Sequence, residues 1–150
     1  MIKACIIGVS GYGRVHYQLL LDQVSLGNIK IVAATIINQL EEKEKCEILR
    51  KHECVIYEDY HLMLKELVGE VDLCMIPTGT PLHKPMTIAA LEARMNVLVE
   101  KPAAGCYDDV LDMEKKAKEV DKKVFVGYQH MYSNMAMTAN INYSKVLLER

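Results

Sequence analysis

The sequence predicts an open, doubly wound α/β fold, a mostly parallel sheet of six strands with helices on both faces. Three features point to it. Short, nearly continuous apolar runs recur along the 150 residues. Stretches with helical apolar spacing separate those runs. A glycine-rich turn closes the first run and opens the first helical stretch.

Residues 2–7 (IKACII) form the first run and end at Gly8. Residues 29–37, 54–57, 71–76, 96–99 and 124–128 supply the other five. A strand buried on both faces needs no polar alternation, so such runs suit a parallel sheet covered above and below. Residues 13–26 and 40–51 predict the first two helices, the second poor in apolar positions and therefore a surface helix. Tyr60, Met63, Leu64, Leu67 and Val68 fall on one helical stripe, and Leu82, Met86, Ala89, Ala90 and Ala93 on another. Val110, Met113, Ala117 and Val120 make a third, opposite Glu114, Lys115, Lys118 and Glu119. Each crossover is long enough to return the chain to a parallel neighbour.

The length fits one compact domain, expected over residues 1–130. Residues 131–150 break the rhythm and read as a polar tail, or as the start of a C-terminal domain that the chain lacks. The chain is 51% hydrophobic and 25% charged, enough apolar material for a core. A net charge of −2 leaves no broad basic surface, which argues against a nucleic-acid partner. No apolar run reaches the ~18 residues of a membrane span, and the N-terminus lacks signal-peptide features. Cys5, Cys46, Cys54, Cys74 and Cys106 are odd in number, widely spaced and without a C-x-x-C pair. Reduced thiols in a cytoplasmic protein are expected, with no disulfide framework and no metal site, since nothing completes a ligand set around Cys46 and His52.

Gly8-Val9-Ser10-Gly11-Tyr12-Gly13 follows the first strand. A dinucleotide fingerprint needs Gly first for the tight turn, a very small second residue for backbone approach to the pyrophosphate, and Gly third for helix–strand packing. Here the frame is Gly8, Ser10 and Gly13 with an additional Gly11, and Tyr12 and Arg14 join the candidate cofactor contacts. The Ser10 hydroxyl is a candidate donor to a phosphate oxygen, and the helix beyond Gly13 offers free N–H groups. A structural turn without a ligand is the alternative. The acid that would bind the ribose diol at the end of the second strand is absent. That region reads Thr35-Ile36-Ile37-Asn38-Gln39, with no carboxylate before Glu41. Asn38 is the candidate ribose contact, and NAD against NADP stays open.

Ligands of open α/β sheets lie beyond the carboxyl ends of the strands. Two further loops lie there, Pro77-Thr78-Gly79-Thr80-Pro81-Leu82-His83 and Glu100-Lys101-Pro102. With the glycine turn and its following His16, the Ala89–Ala93 helix, Val97–Pro102 and Val126-Gly127-Tyr128-Gln129, they form an ordered set. In that order the chain resembles the N-terminal domain of the Gfo/Idh/MocA (glucose–fructose oxidoreductase / inositol 2-dehydrogenase) family over residues 2–134.

The resemblance implies a Rossmann-like domain that binds NAD or NADP, in an oxidoreductase acting on a sugar, polyol or related hydroxy compound. It implies Lys101 as the catalytic group beside the reacting carbon, Glu100 on the ribose or nicotinamide side, and Pro102 after a cis peptide. Pro77, Thr78, Gly79, Thr80, His83 and Gln129 would line the cofactor cleft. Four departures stand out: Ser10 at the middle glycine, Ile36 or Asn38 in place of the acid, Met131 where the family commonly has Arg, and no second domain. A non-catalytic dinucleotide-binding or regulatory module is the alternative function. Val146-Leu147-Leu148 is a candidate contact in a homo-oligomer.

Overall fold

The computed structural model describes residues 1–128 and Thr138. Gln129, most of the 131–150 segment and the Val146–Leu148 contact lie outside the described residues. Six strands alternate with five helices: β1 (Ile2–Ile7), α1 (Gly13–Ser25), β2 (Ile29–Thr35), α2 (Lys43–Lys51), β3 (Val55–Tyr57), α3 (Tyr60–Glu66), β4 (Leu73–Ile76), α4 (Thr80–Glu92), β5 (Asn96–Val99), α5 (Tyr107–Glu119) and β6 (Val124–Val126). The strand order is β3-β2-β1-β4-β5-β6 and every pairing is parallel. That order is the doubly wound arrangement with its switch point between β1 and β4.

Strand alternation divides the core in two. Ala4 and Ile6 of β1 face α1 and α2 and pack with Tyr17, Leu20, Cys46 and Leu49. Cys5 and Ile7 face the other way, against Met63 and Leu64 of α3, Met86, Ala90 and Leu91 of α4, and Met113 and Ala117 of α5. Both faces of β1 are therefore buried from Ala4 onward, as its nearly continuous apolar run requires. α2 buries Cys46 and Leu49, in keeping with its sparse apolar pattern.

Several expected bounds shift: β3 begins at Val55 rather than residue 54, β4 at Leu73 rather than 71, and β6 ends at Val126 rather than 128. β2 stops at Thr35 rather than residue 37. Its partner β3 is three residues long, and after the Ile36 N–H has bonded Tyr57 O at 2.8 Å there is no further strand to pair with. Ile37 turns outward and is 81% exposed. On α4 the buried stripe is His83, Met86, Thr87, Ala90 and Leu91, with Ala89 partly buried against the same core, so only Leu82 of the expected stripe leaves the core face. Leu82 is 46% exposed because it faces the cleft at the carboxyl edge of the sheet instead.

The helices on the α4 face are tied by charge as well as packing. Lys84 on α4 donates to Asp109 and Asp112 on α5, each at 2.7 Å. Those contacts raise the Lys84 ammonium well above its ordinary range and lower Asp109. Among the described residues no helix is long and apolar enough to cross a membrane, and no His/Cys/Asp/Glu group has a metal-binding arrangement.

Four of the five cysteines are buried, and Cys106 is exposed. Burial pushes the Cys54 thiol up to about 12. A hydrogen bond with Cys5, then burial, raises Cys74. Thiolate is the reacting form. Alkylation of the native chain at neutral pH is therefore expected to label Cys106 first, with the others reacting only after denaturant is added. Mass mapping that finds Cys54 or Cys74 labelled as fast as Cys106 would contradict this core.

Candidate functional site

The carboxyl ends of β1, β4 and β5 deliver three loops to one edge of the sheet. The first is the glycine turn. Gly8 has φ +92° and Gly11 φ +54°, conformations that a side chain resists. At Gly13 the obstacle is steric: a Cβ would lie 2.8 Å from the carbonyl oxygen of Gly8. Pro77, from the second loop, packs against the same point. α1 then starts with no side-chain cap and no acidic residue in its first turn. The Gly13, Arg14 and Val15 N–H groups bond the carbonyls of Ser10, Gly11 and Tyr12, so what α1 offers an anion in the turn is its positive dipole end. The backbone shape and the bare helix end both fit a nucleotide diphosphate.

A cleft of about 410 Å³ extends from this turn. It passes Gly8, Val9 and Ser10 on one wall and Thr78, Leu82 and Met86 on the other, and reaches Asn38, Glu58 and Asp59. Ser10 does not keep its hydroxyl for the turn. Its Oγ donates to Asn38 Oδ1 at 3.3 Å. Ser10 also lies within hydrogen-bonding reach of Glu42, whose carboxyl is held below its usual range by Lys45 and then by Ser10. Asn38 in turn donates from Nδ2 to Glu41 Oε2 at 2.9 Å. Arg14 is exposed at the first turn of α1, beside Tyr12, Glu42 and Lys45.

The second and third loops are joined by His83. Its ring is 1% exposed, with Nδ1 2.8 Å from Pro102 O and Nε2 2.9 Å from Thr78 O. Both neighbours are carbonyl oxygens, so each contact is a hydrogen bond where that nitrogen carries a proton. Gly79 caps α4 in an extended conformation and Thr80 begins the helix. His83 thus binds two loop backbones together and contributes no free ring nitrogen to the cleft.

Glu100 ends β5 as a buried carboxylate. Its Oε1 accepts from His16 Nε2 at 2.8 Å, and its Oε2 accepts from the Lys101 N–H at 3.0 Å. Gly127 makes the room: a Cβ there would lie 2.7 Å from Glu100 Oε1. Each oxygen therefore has a donor inside the protein, and Glu100 positions the turn. The Lys101–Pro102 peptide is cis, and the Lys101 side chain is exposed. Glu42 and Lys45 are structural members of this edge that no local motif reveals, and His16, which follows the glycine turn in the ordered set, finds a partner that the set does not name. His16 and Glu100 are 84 residues apart in the chain.

Residues 2–128 match the Gfo/Idh/MocA family, an oxidoreductase family with an NAD-binding Rossmann fold. The chain belongs to that family. It is 30% identical over 128 residues to an inositol 2-dehydrogenase/D-chiro-inositol 3-dehydrogenase of Halalkalibacterium halodurans, covering 85% of this chain and 35% of the relative. The crystal structure of a myo-inositol 2-dehydrogenase from Lactobacillus plantarum superimposes with a TM-score of 0.72 at 26% identity, over 99% of this chain and 41% of that one. A scyllo-inositol dehydrogenase from Lactobacillus casei, solved with NAD(H) and scyllo-inositol, shares the fold with a TM-score of 0.76 at 19% identity, over 99% and 41%. The chain thus spans 35–41% of the length of these relatives. The domain described here is a NAD-binding oxidoreductase domain of the Gfo/Idh/MocA type.

His16→Ala leaves Glu100 Oε1 buried without its donor. Unfolding free energy is expected to fall by about 1–3 kcal/mol, read from urea titration, as for a stranded buried acceptor. An unchanged midpoint would mean that Glu100 finds another partner.

Proposed function

We propose that this chain is the cofactor-binding part of a NAD(P)-dependent dehydrogenase acting on a sugar, polyol or related hydroxy compound. One juxtaposition supports the reading above all others. The glycine cradle at the bare end of α1 and the Glu100-Lys101-Pro102 turn share the carboxyl edge of the sheet, and His16 links them through Glu100. The inositol chemistry in the relatives' names supports the substrate class.

On this reading Gly8, Ser10, Gly11, Tyr12, Gly13 and Arg14 hold the pyrophosphate at the positive end of the α1 dipole. Asn38 lies at the ribose end, and Pro77, Thr78, Gly79 and Thr80 form the opposite wall. His83, Glu100 and Pro102 position that wall and the lysine. A bound nicotinamide supplies the hydride acceptor or donor. Lys101 handles the proton. Oxidation of a carbinol carbon releases the O–H proton along with the hydride, and a lysine amine within reach of that oxygen accepts it; the ammonium returns it in the reverse direction. The Glu100–Lys101 hydrogen bond fixes the backbone from which the amine reaches.

Titration of the chain with NADH is expected to change nicotinamide fluorescence saturably. In a form of the protein that includes a substrate domain, Lys101→Ala is expected to lower turnover of a polyol by about 10²–10⁴-fold while NADH binding persists. Turnover near that of the unaltered protein would end the proton-handling role. NADH binding with no turnover on a panel of polyols would favour a non-catalytic dinucleotide-binding module.

A further inference from the structure

We propose that Glu41, presented by Asn38, takes over the ribose-reading role of the acid missing from the end of β2, and that it makes this cleft select NAD over NADP. The inference rests on the cofactor-binding reading above and deepens it.

The usual position for such an acid is filled here by Ile36, which is buried, and Ile37, which points outward. The next residue, Asn38, touches the glycine turn through Ser10 and lines the cleft. Its amide is a two-ended connector. Oδ1 accepts from Ser10, and Nδ2 donates to Glu41 at 2.9 Å. A carboxylate is thereby held one side chain away from the cleft wall, although three residues of sequence displace it from the strand end. The backbone holds it there too, since the Glu41 N–H and the Glu42 N–H both bond Asn38 O at 3.1 Å.

The surrounding charges act in the same direction. Glu58 and Asp59 line the cleft beyond Asn38. Glu42 is kept ionised beside Ser10. The cations on the same side are already engaged: Lys45 donates to Glu42 and to Val9 O, and Arg50 donates to Gln39 Oε1. A ribose diol can donate hydrogen bonds to these acceptors. A 2′-phosphate brings further negative charge and no donor of its own when fully ionised, so it is repelled. Arg14 is the opposing influence, an exposed cation on the far rim of the turn beside Glu42 and Lys45. Its place on the first turn of α1 suits the pyrophosphate that both cofactors share.

The test is a parallel fluorescence titration with NADH and NADPH at one fixed ionic strength. The unaltered chain is expected to bind NADH at least about tenfold more tightly than NADPH. Glu41→Gln removes the charge from an exposed side chain, and circular dichroism and a urea midpoint check that the variant folds. Its NADPH dissociation constant is expected to fall and its NADH constant to rise, narrowing the gap by about three- to tenfold. Asn38→Asp added to Glu41→Gln returns an acid to the cleft wall and is expected to reopen the gap. Equal affinity of the unaltered chain for both nucleotides, or an NADH:NADPH ratio untouched by Glu41→Gln, would overturn the selectivity role while leaving cofactor binding intact. Failure of both nucleotides to bind would overturn this inference and the reading beneath it.

Discussion

A carboxylate taken out of water must have its oxygens satisfied or its burial opposes folding. Glu100 is such a carboxylate, 6% exposed at the end of β5. His16 reaches it from α1, the Lys101 N–H meets its other oxygen, and Gly127 after β6 leaves the space that its head group fills. Three segments that are distant in sequence therefore have to meet at one point. The placement of the glycine turn relative to Lys101 follows from that meeting, because α1 begins at the turn and His16 lies one helical turn into it.

The opposite face of the sheet adds a second restraint. His83 on α4 holds the Thr78 and Pro102 carbonyls within 2.9 Å of its ring. The Glu-Lys-Pro turn is thus pinned by one histidine from the α1 side and by another from the α4 side. Its backbone is fixed while the Lys101 side chain stays exposed. This is a sensible division for a group that has to meet a substrate: order is built into the main chain, and reach is left to a flexible side chain.

The cleft next to it is polarised along its length. At the glycine turn, a bare helix end and Arg14 favour negative charge. At the end of β2, carboxylates and the Asn38 amide offer acceptors. Ser10 belongs to both halves. Where a middle glycine would only clear space, its hydroxyl donates across to Asn38, with Glu42 within reach, and so connects the turn to the loop that leads into α2.

The strand and helix pattern was legible from residue type alone. Apolar runs such as IKACII and the stripe Val110–Met113–Ala117–Val120 reflect periodicities that the backbone imposes on any chain. The glycine turn was legible too, because positive φ at Gly8 and the Gly13–Gly8 contact leave almost no other residue a place there. Other features were decided only when the chain closed on itself. β2 ends where its short partner ends, Leu82 leaves the core stripe for the cleft, and Glu100 turns inward to His16. Local spacing records the conformational limits of each residue and its neighbours. The partner of a buried carboxylate, 84 residues away, is set by packing across the sheet, and no periodicity encodes it.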